Sequence, residues 1–246
     1  VIVSTSDDAP LLRVRAAKVA CTVAEYFRDR GRQVLLLMDS LTRLCQAQRQ
    51  IGLAAHEPPA TKGFPPSVFA LLPEILERAG KTAVGSITGF YTVLVEGDDF
   101  NEPIPDAVKG ITDGHLWLSR ALANRGHFPA IDVLQSISRV RGDVVDKDQL
   151  RAARRVLALW AIYQDIEDLV NIGAYVKGTS GEYDLAIEAR PKIVQYLQQE
   201  ASAMSTLEQS RKQLIDLAAW IDQMEKLQKA QAAKPPRPAQ QAAIAR

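Results

Sequence analysis

The stretch Gln33-Val34-Leu35-Leu36-Leu37-Met38-Asp39 limits the possible folds more than any other. Five apolar residues in a row cannot alternate between core and water. They predict a central parallel strand covered on both faces, and therefore a sheet with helices on either side. The run ends on an acid. In open α/β sheets ligands bind at the carboxyl edge of the strands, so the position makes Asp39 a candidate ligand-side carboxylate. A carboxylate there can hold Mg²⁺ directly or through water. An Asp that simply caps the following helix is the plainer alternative, and Ser40 or Thr42 would cap equally well.

The flanking patterns extend this reading. The β-branched Val1–Thr5 predicts a strand, closed by the turn-forming Ser-Asp-Asp-Ala-Pro that follows. Apolar residues at Val19, Val23, Tyr26 and Phe27 predict an amphipathic helix over 11–30 that Gly31 ends. A second helix follows Asp39. Four prolines and a glycine make 56–67 a loop, and 68–80 reads as a helix with Gly80 as its C-cap. Residues 86–97 read as a strand. A short helix, a turn at Asp113-Gly114, a strand over His115–Leu118 and another helix come next. Residues 127–143 read as extended and irregular. The alternation predicts an α/β parallel sheet up to about residue 142. Beyond it the pattern is almost wholly helical, with three amphipathic segments that predict a small helical domain. The expected limits are 1–143, 144–231 and a Pro-, Ala- and Gln-rich tail over 232–246 that predicts disorder.

Gly80-Lys81-Thr82 has the ending of a phosphate-binding loop, but the residue five before Gly80 is Ile75 rather than glycine. A helix also precedes the triplet, where a phosphate loop needs a strand before it and a helix after it. No Walker A element is read anywhere in the 246 residues. The 30 Lys and Arg against 29 Asp and Glu give a net charge of +1, which supplies no strong nucleic-acid surface. No apolar run approaches the roughly 18 residues that span a bilayer. Cys21 and Cys45 lie in apolar contexts and read as reduced thiols. The first residues lack an initiator Met, and the chain reads as a fragment or truncated product.

Several long blocks resemble one family. Residues 23–43 (Val-Ala-Glu-Tyr-Phe-Arg-Asp-Arg through Asp-Ser-Leu-Thr-Arg) are similar to the catalytic subunits of rotary ATP synthases. Residues 51–80, 85–120 and 129–140 resemble the type III secretion ATPases, and among these the flagellar export ATPases. The resemblance covers roughly 1–230. It implies a RecA-like parallel sheet with flanking helices, lacking its P-loop half, followed by a small all-helical C-terminal domain. It implies ATP and Mg²⁺ as cofactors and an ATP hydrolase that drives export of flagellar or type III secreted proteins. It implies a hexameric homo-oligomer at the cytoplasmic face of an export apparatus, with stalk and regulator proteins and chaperone–substrate complexes as partners, and neither nucleic acid nor a transmembrane segment.

Carried onto this sequence, the resemblance makes Asp39 the Walker B acid that organises Mg²⁺ and water, and Arg43 a γ-phosphate ligand from the same subunit. Arg139, in Ser136-Ile137-Ser138-Arg139-Val140, becomes an arginine finger acting on the neighbouring subunit. Phe128 would stack on adenine, and Tyr175 would wall the same pocket. Glu96, with Asp98 and Asp99, would lie at the ligand edge. Lys62 and Phe64 would contact a partner helix or export substrate. The family's phosphate loop and general-base glutamate find no counterpart here, so the chain by itself is expected not to hydrolyse ATP. Arg141 stands where the family usually has an apolar residue. The competing readings are a non-hydrolysing assembly module of the export apparatus and, less in keeping with the helical domain, a nucleic-acid translocase.

Overall fold

The computed structural model describes residues 1–95, 97 and 102–232. The chain divides into two compact units, Val1–Asp113 and Gly114–Arg246.

In the first unit α1 (Pro10–Arg28) leads to β1 (Gln33–Met38) and then to α2 (Leu41–Ala54). After a loop come α3 (Pro66–Leu76), the two-residue β2 (Gly80–Lys81), β3 (Ser86–Tyr91) and α4 (Pro103–Ile111). The termini follow from local chemistry. Proline occupies the first turn of α1, α3 and α4, where its missing N–H costs nothing. Ser40 caps α2 by accepting from the Arg43 amide. The sheet has the order β1-β3-β2. β1 and β3 run parallel from Gln33↔Ser86 to Met38↔Tyr91, and β2 pairs antiparallel with the start of β3. The core gathers Leu41, Cys45, Val68, Leu72 and Ile75 with Leu36 and Met38 of β1 against it.

The second unit holds the antiparallel pair β4 (Gly114–Leu118) and β5 (Ile131–Ser138), joined through α5 (Arg120–Asn124). The short α6 (Arg141–Val144) leads into three long helices, α7 (Lys147–Asn171), α8 (Gly181–Leu197) and α9 (Leu207–Ala232). Asp146 and Ser180 cap α7 and α8 through their side chains. The helices meet on stripes at three- and four-residue spacing: Val156, Leu159, Trp160 and Tyr163 on α7, Leu185, Ala189 and Ile193 on α8, and Leu214, Leu217 and Ile221 on α9. Val133 and Leu134 of β5 pack against this core.

The sheet with flanking helices and the helical C-terminal region agree with the sequence; several local expectations do not. Val1–Thr5 forms no strand: the Ser4 hydroxyl and the Thr5 amide donate to the Asp8 carboxylate at 2.9 and 2.7 Å, so a local turn takes up those groups instead of a ladder. β1 is covered on one face only. Leu36 and Met38 turn to the core, while Leu35 and Leu37 are 60% and 70% exposed. On α1 the buried face is Val14, Cys21 and Ala24, and Val19, Val23, Tyr26 and Phe27 are about half exposed. The helix has two apolar faces, and spacing alone does not say which one packs. α3 ends at Leu76 with Glu77 as its C-cap, and Gly80 begins β2 instead. β3 stops at Tyr91, well short of Gly97. Residues 131–138 form a regular strand, and it runs antiparallel rather than continuing a parallel sheet. The Ser119 amide donates to the Ala130 carbonyl at 2.8 Å, which closes the neck of the connection and brings β5 back alongside β4.

Both cysteines are buried free thiols. Burial alone pushes Cys45 up to about 12, which keeps it protonated. Among the described residues no helix is long and apolar enough to cross a membrane. The expected tail from 233 lies outside the described residues.

Arg78 ties α3 to α1. Its Nε donates to Glu25 Oε1 at 2.8 Å, and both side chains are about three-quarters covered. Hydrogen bonds from Arg78 hold the Glu25 carboxyl below its ordinary 4.5. The unfolded chain therefore takes up this proton first, so the stabilisation is complete above about 4.5 and is lost as pH falls through the lower folded value. Glu25→Gln is expected to flatten the acid limb of thermal stability below pH 4.5, read as Tm against pH.

Candidate functional site

The site is built at the point where β1 hands the chain to α2. Parallel pairing places Met38 opposite Tyr91, so the next residues in register are Asp39 and Thr92. The Thr92 hydroxyl donates to Asp39 Oδ1 at 2.7 Å. The backbone continues the contact, with Thr92 N on Met38 O and Leu41 N on Thr92 O, at 3.1 and 2.9 Å. Thr42 adds a further tie, accepting from the Leu94 amide at 2.9 Å. Asp39 is thus a fixed, exposed carboxylate at the carboxyl edge of the sheet. The Asp39–Ser40 peptide is cis.

Arg43 stands in the first turn of α2, with its amide on Ser40 Oγ at 3.3 Å. Its guanidinium reaches Ser6 Oγ at 3.3 Å on the segment before α1. This exposed contact to a neutral hydroxyl is weak, and an anion would compete with it effectively. Asp39 and Arg43 therefore share one strand–helix junction with Ser40 between them.

Gly80-Lys81-Thr82 lies in β2 and the turn after it, with no helix N-terminus behind it. Phe64 is buried beneath Arg49, whose guanidinium carbon lies 5.2 Å from the ring centre, so the ring is core rather than a contact surface. Packing on α2 and α3 claims an aromatic flanked by Gly63 and Pro65. Lys62 stays exposed, in the left-handed region at φ 48°. Glu96, Asp98 and Asp99 lie outside the described residues.

In the second unit Phe128 and Arg139 bracket β5. Phe128 is 56% exposed and precedes a cis proline bond, and its carbonyl accepts the Gln199 amide at 2.9 Å. Arg139 is exposed in the turn that leaves the strand. β5 spans about 23 Å at about 3.3 Å per residue, and the two residues flank its opposite ends. Tyr175 is engaged locally: its hydroxyl donates to Asp184 Oδ1 at 2.9 Å and lies 3.2 Å from the Ser180 carbonyl, pinning the α7–α8 connection.

Sequence reasoning missed Thr92 and Gly114. A threonine after a strand carries no mark of its own, yet the parallel register, once known, puts it beside Asp39. Gly114 pairs with Ser138, next to Arg139, and a Cβ there would meet the Ile137 carbonyl oxygen at 2.4 Å.

Among the described residues no three His, Cys, Asp or Glu cluster as a metal cage. Mg²⁺ does not require one: it is commonly held by one or two carboxylates together with substrate phosphates and water. Asp39, a hard oxygen donor fixed through one oxygen, fits that role.

Known proteins match both units. The family model of the ATP synthase alpha/beta family, nucleotide-binding domain, matches residues 1–138, and that of the T3SS EscN ATPase C-terminal domain matches 145–216. The flagellum-specific ATP synthase of Bacillus subtilis (strain 168) is 55% identical over 210 residues, 85% of this chain and 48% of the relative. The type 3 secretion system ATPase of Xanthomonas euvesicatoria is 51% identical over 208 residues, 85% of this chain and 47% of the relative. The assembled ATPase EscN from the enteropathogenic E. coli type III secretion system superposes with a TM-score of 0.85 at 48% identity, covering 87% of this chain and 52% of EscN. EscN in complex with its central stalk EscO gives 0.80 at 47% identity, over 87% of this chain and 51% of that one. The chain spans about half the length of the relatives it matches. It belongs to the ATP synthase alpha/beta family, in the branch of the flagellar and type III secretion ATPases.

Proposed function

We propose that this chain is the carboxyl-terminal part of an ATPase that couples ATP hydrolysis to export of flagellar or type III secreted proteins. The observation that carries the reading is Asp39, held by Thr92 at the carboxyl edge of a parallel strand with Arg43 one helical turn on. In this reading the nucleotide-binding part is 1–143 and the helical domain 144–231. Asp39 holds Mg²⁺ directly or through water, and Arg43 meets the γ-phosphate. Bound Mg²⁺ would neutralise charge on the phosphoryl oxygens. Thr92 keeps the Asp39 carboxylate aimed. Phe128, exposed at the start of β5, stacks on adenine, and Arg139, at the far end of that strand, serves a different nucleotide in the neighbouring subunit. Their placement at opposite ends of β5 supports that division of labour. Tyr175 walls the adenine pocket. The assembly is a hexamer at the cytoplasmic face of the export apparatus, with stalk, regulator and chaperone–substrate partners. EscN, assembled and with its stalk EscO, is the similar case.

Turnover tests the reading. The chain alone is expected to show no ATP hydrolysis above a buffer blank, because none of its 246 residues forms a Walker A loop. Fused behind the part of a flagellar relative that precedes this span, it is expected to hydrolyse ATP with Mg²⁺, and Asp39→Asn in the fusion to abolish the response to Mg²⁺. Hydrolysis by the chain alone, or an Asp39→Asn fusion with full Mg²⁺ response, overturns it. A well-folded fusion that assembles but never turns over favours the assembly-module reading.

A further inference from the structure

A groove of about 280 Å³, open to solvent, lies in the second unit between the β4–β5 pair and the long helices. Its walls are apolar: Val133 and Ile137 of β5, Val156 and Trp160 of α7, and Leu214 of α9. Two of its polar groups are already committed. Ser136 Oγ donates to the Asp132 carbonyl at 2.6 Å and accepts the Trp117 amide at 2.9 Å. His115 Nε2 lies 2.9 Å from the Gln135 carbonyl.

Arg141 differs from them. It is half-buried at the wall and, among the described residues, is the only arginine or lysine lining the groove. Its side chain has no ion pair or hydrogen bond among the described residues. A guanidinium keeps its charge at any accessible pH, and its planar fork matches a carboxylate. Apolar walls beside a partly desolvated, unmatched cation select an amphipathic anion. The volume admits more than one ring: an enclosed apolar cavity of about 150 Å³ takes benzene, and this open groove has room for two fused rings. Trp160, stacked on Tyr163, and Tyr196 add aromatic character to the lining.

We propose that this groove is a binding site for a small aromatic carboxylate, with the rings between β5 and α7 and the acid on Arg141. Asp39, Arg43, Phe128 and Arg139 do not line it, so occupancy can be read without turnover.

The test uses 2-naphthoate and its uncharged analogue 2-naphthalenemethanol, titrated into the chain by calorimetry and by tryptophan fluorescence, with Trp160 as the local reporter. One naphthoate per chain is expected, binding more tightly than the alcohol. Arg141→Met is expected to weaken naphthoate about tenfold or more and to leave the alcohol unchanged. Ala153→Trp fills the groove and is expected to remove both. The proposal is overturned if naphthoate gives no signal at about 1 mM. It is also overturned if Arg141→Met binds both compounds as the parent does, or if a folded Ala153→Trp still binds naphthoate.

Discussion

Arg139→Ala, in rings assembled from the fusion of this chain with a relative's front half, is expected to lower ATP turnover by about 10³-fold or more. A guanidinium placed against a transferring phosphoryl group acts on charge that develops only in the transition state. The loss should therefore fall on kcat, with nucleotide affinity changed little. The geometry adds a sharper requirement. Arg139 stands in an exposed turn at one end of β5, and Phe128 precedes the other end, the strand between spanning about 23 Å. If Phe128 stacks on the subunit's own adenine, Arg139 works on a neighbour's nucleotide. Rings mixed from Arg139→Ala subunits and Asp39→Asn subunits should then regain turnover at those interfaces where an intact Asp39 faces an intact Arg139. Mixed rings as inactive as either parent would place the arginine in its own site and end the trans assignment. Arg139→Lys should recover little, because a point charge does not reproduce the planar fork.

Much of this arrangement was legible in the sequence, and the exceptions have physical reasons. The apolar run ending in Asp39 gave the strand and the position of its acid, because a buried parallel strand and its carboxyl edge leave a pattern in composition. The three long helices were legible from spacing. The covered face of β1 was not, since five apolar residues in a row say nothing of which neighbours are present; Leu35 and Leu37 are exposed in the same run as Leu36. The buried face of α1 is not legible because both faces are apolar, and spacing alone does not choose between them. Phe64 was assigned to the surface because its neighbours are prolines and glycine, while α2 and α3 close over it. Thr92 could not be found at all without strand pairing: its role exists only across the β1–β3 register.

Gly114→Ala tests the same kind of cross-strand constraint where it bears on Arg139. The sequence marks Asp113-Gly114 only as a turn. In the structure Gly114 opens β4 opposite Ser138, the residue before Arg139. A Cβ there would lie 2.4 Å from the Ile137 carbonyl oxygen and 3.1 Å from the Ser138 Cα, both backbone atoms that no rotamer change can move aside. The strand end must shift, and overpacking of this kind costs about 1–3 kcal/mol. The expected result is a lower denaturant midpoint for the second unit, followed by the fluorescence of Trp117, Trp160 and Trp220, all of which belong to it. In the fused ring, kcat should fall at least about tenfold, since misplacing a catalytic group by about 1 Å can cost 10²-fold. Gly142→Ala is the matched comparison. It lies three residues beyond Arg139, inside α6, with nothing within 4 Å of the added carbon, and is expected to leave turnover unchanged and stability the same or slightly higher. If Gly114→Ala keeps both its midpoint and its turnover, the strand end accommodates a methyl group and does not fix the arginine. If Gly142→Ala loses as much as Gly114→Ala, the sensitivity lies in the α6 turn, and the β4–β5 register is not what positions Arg139.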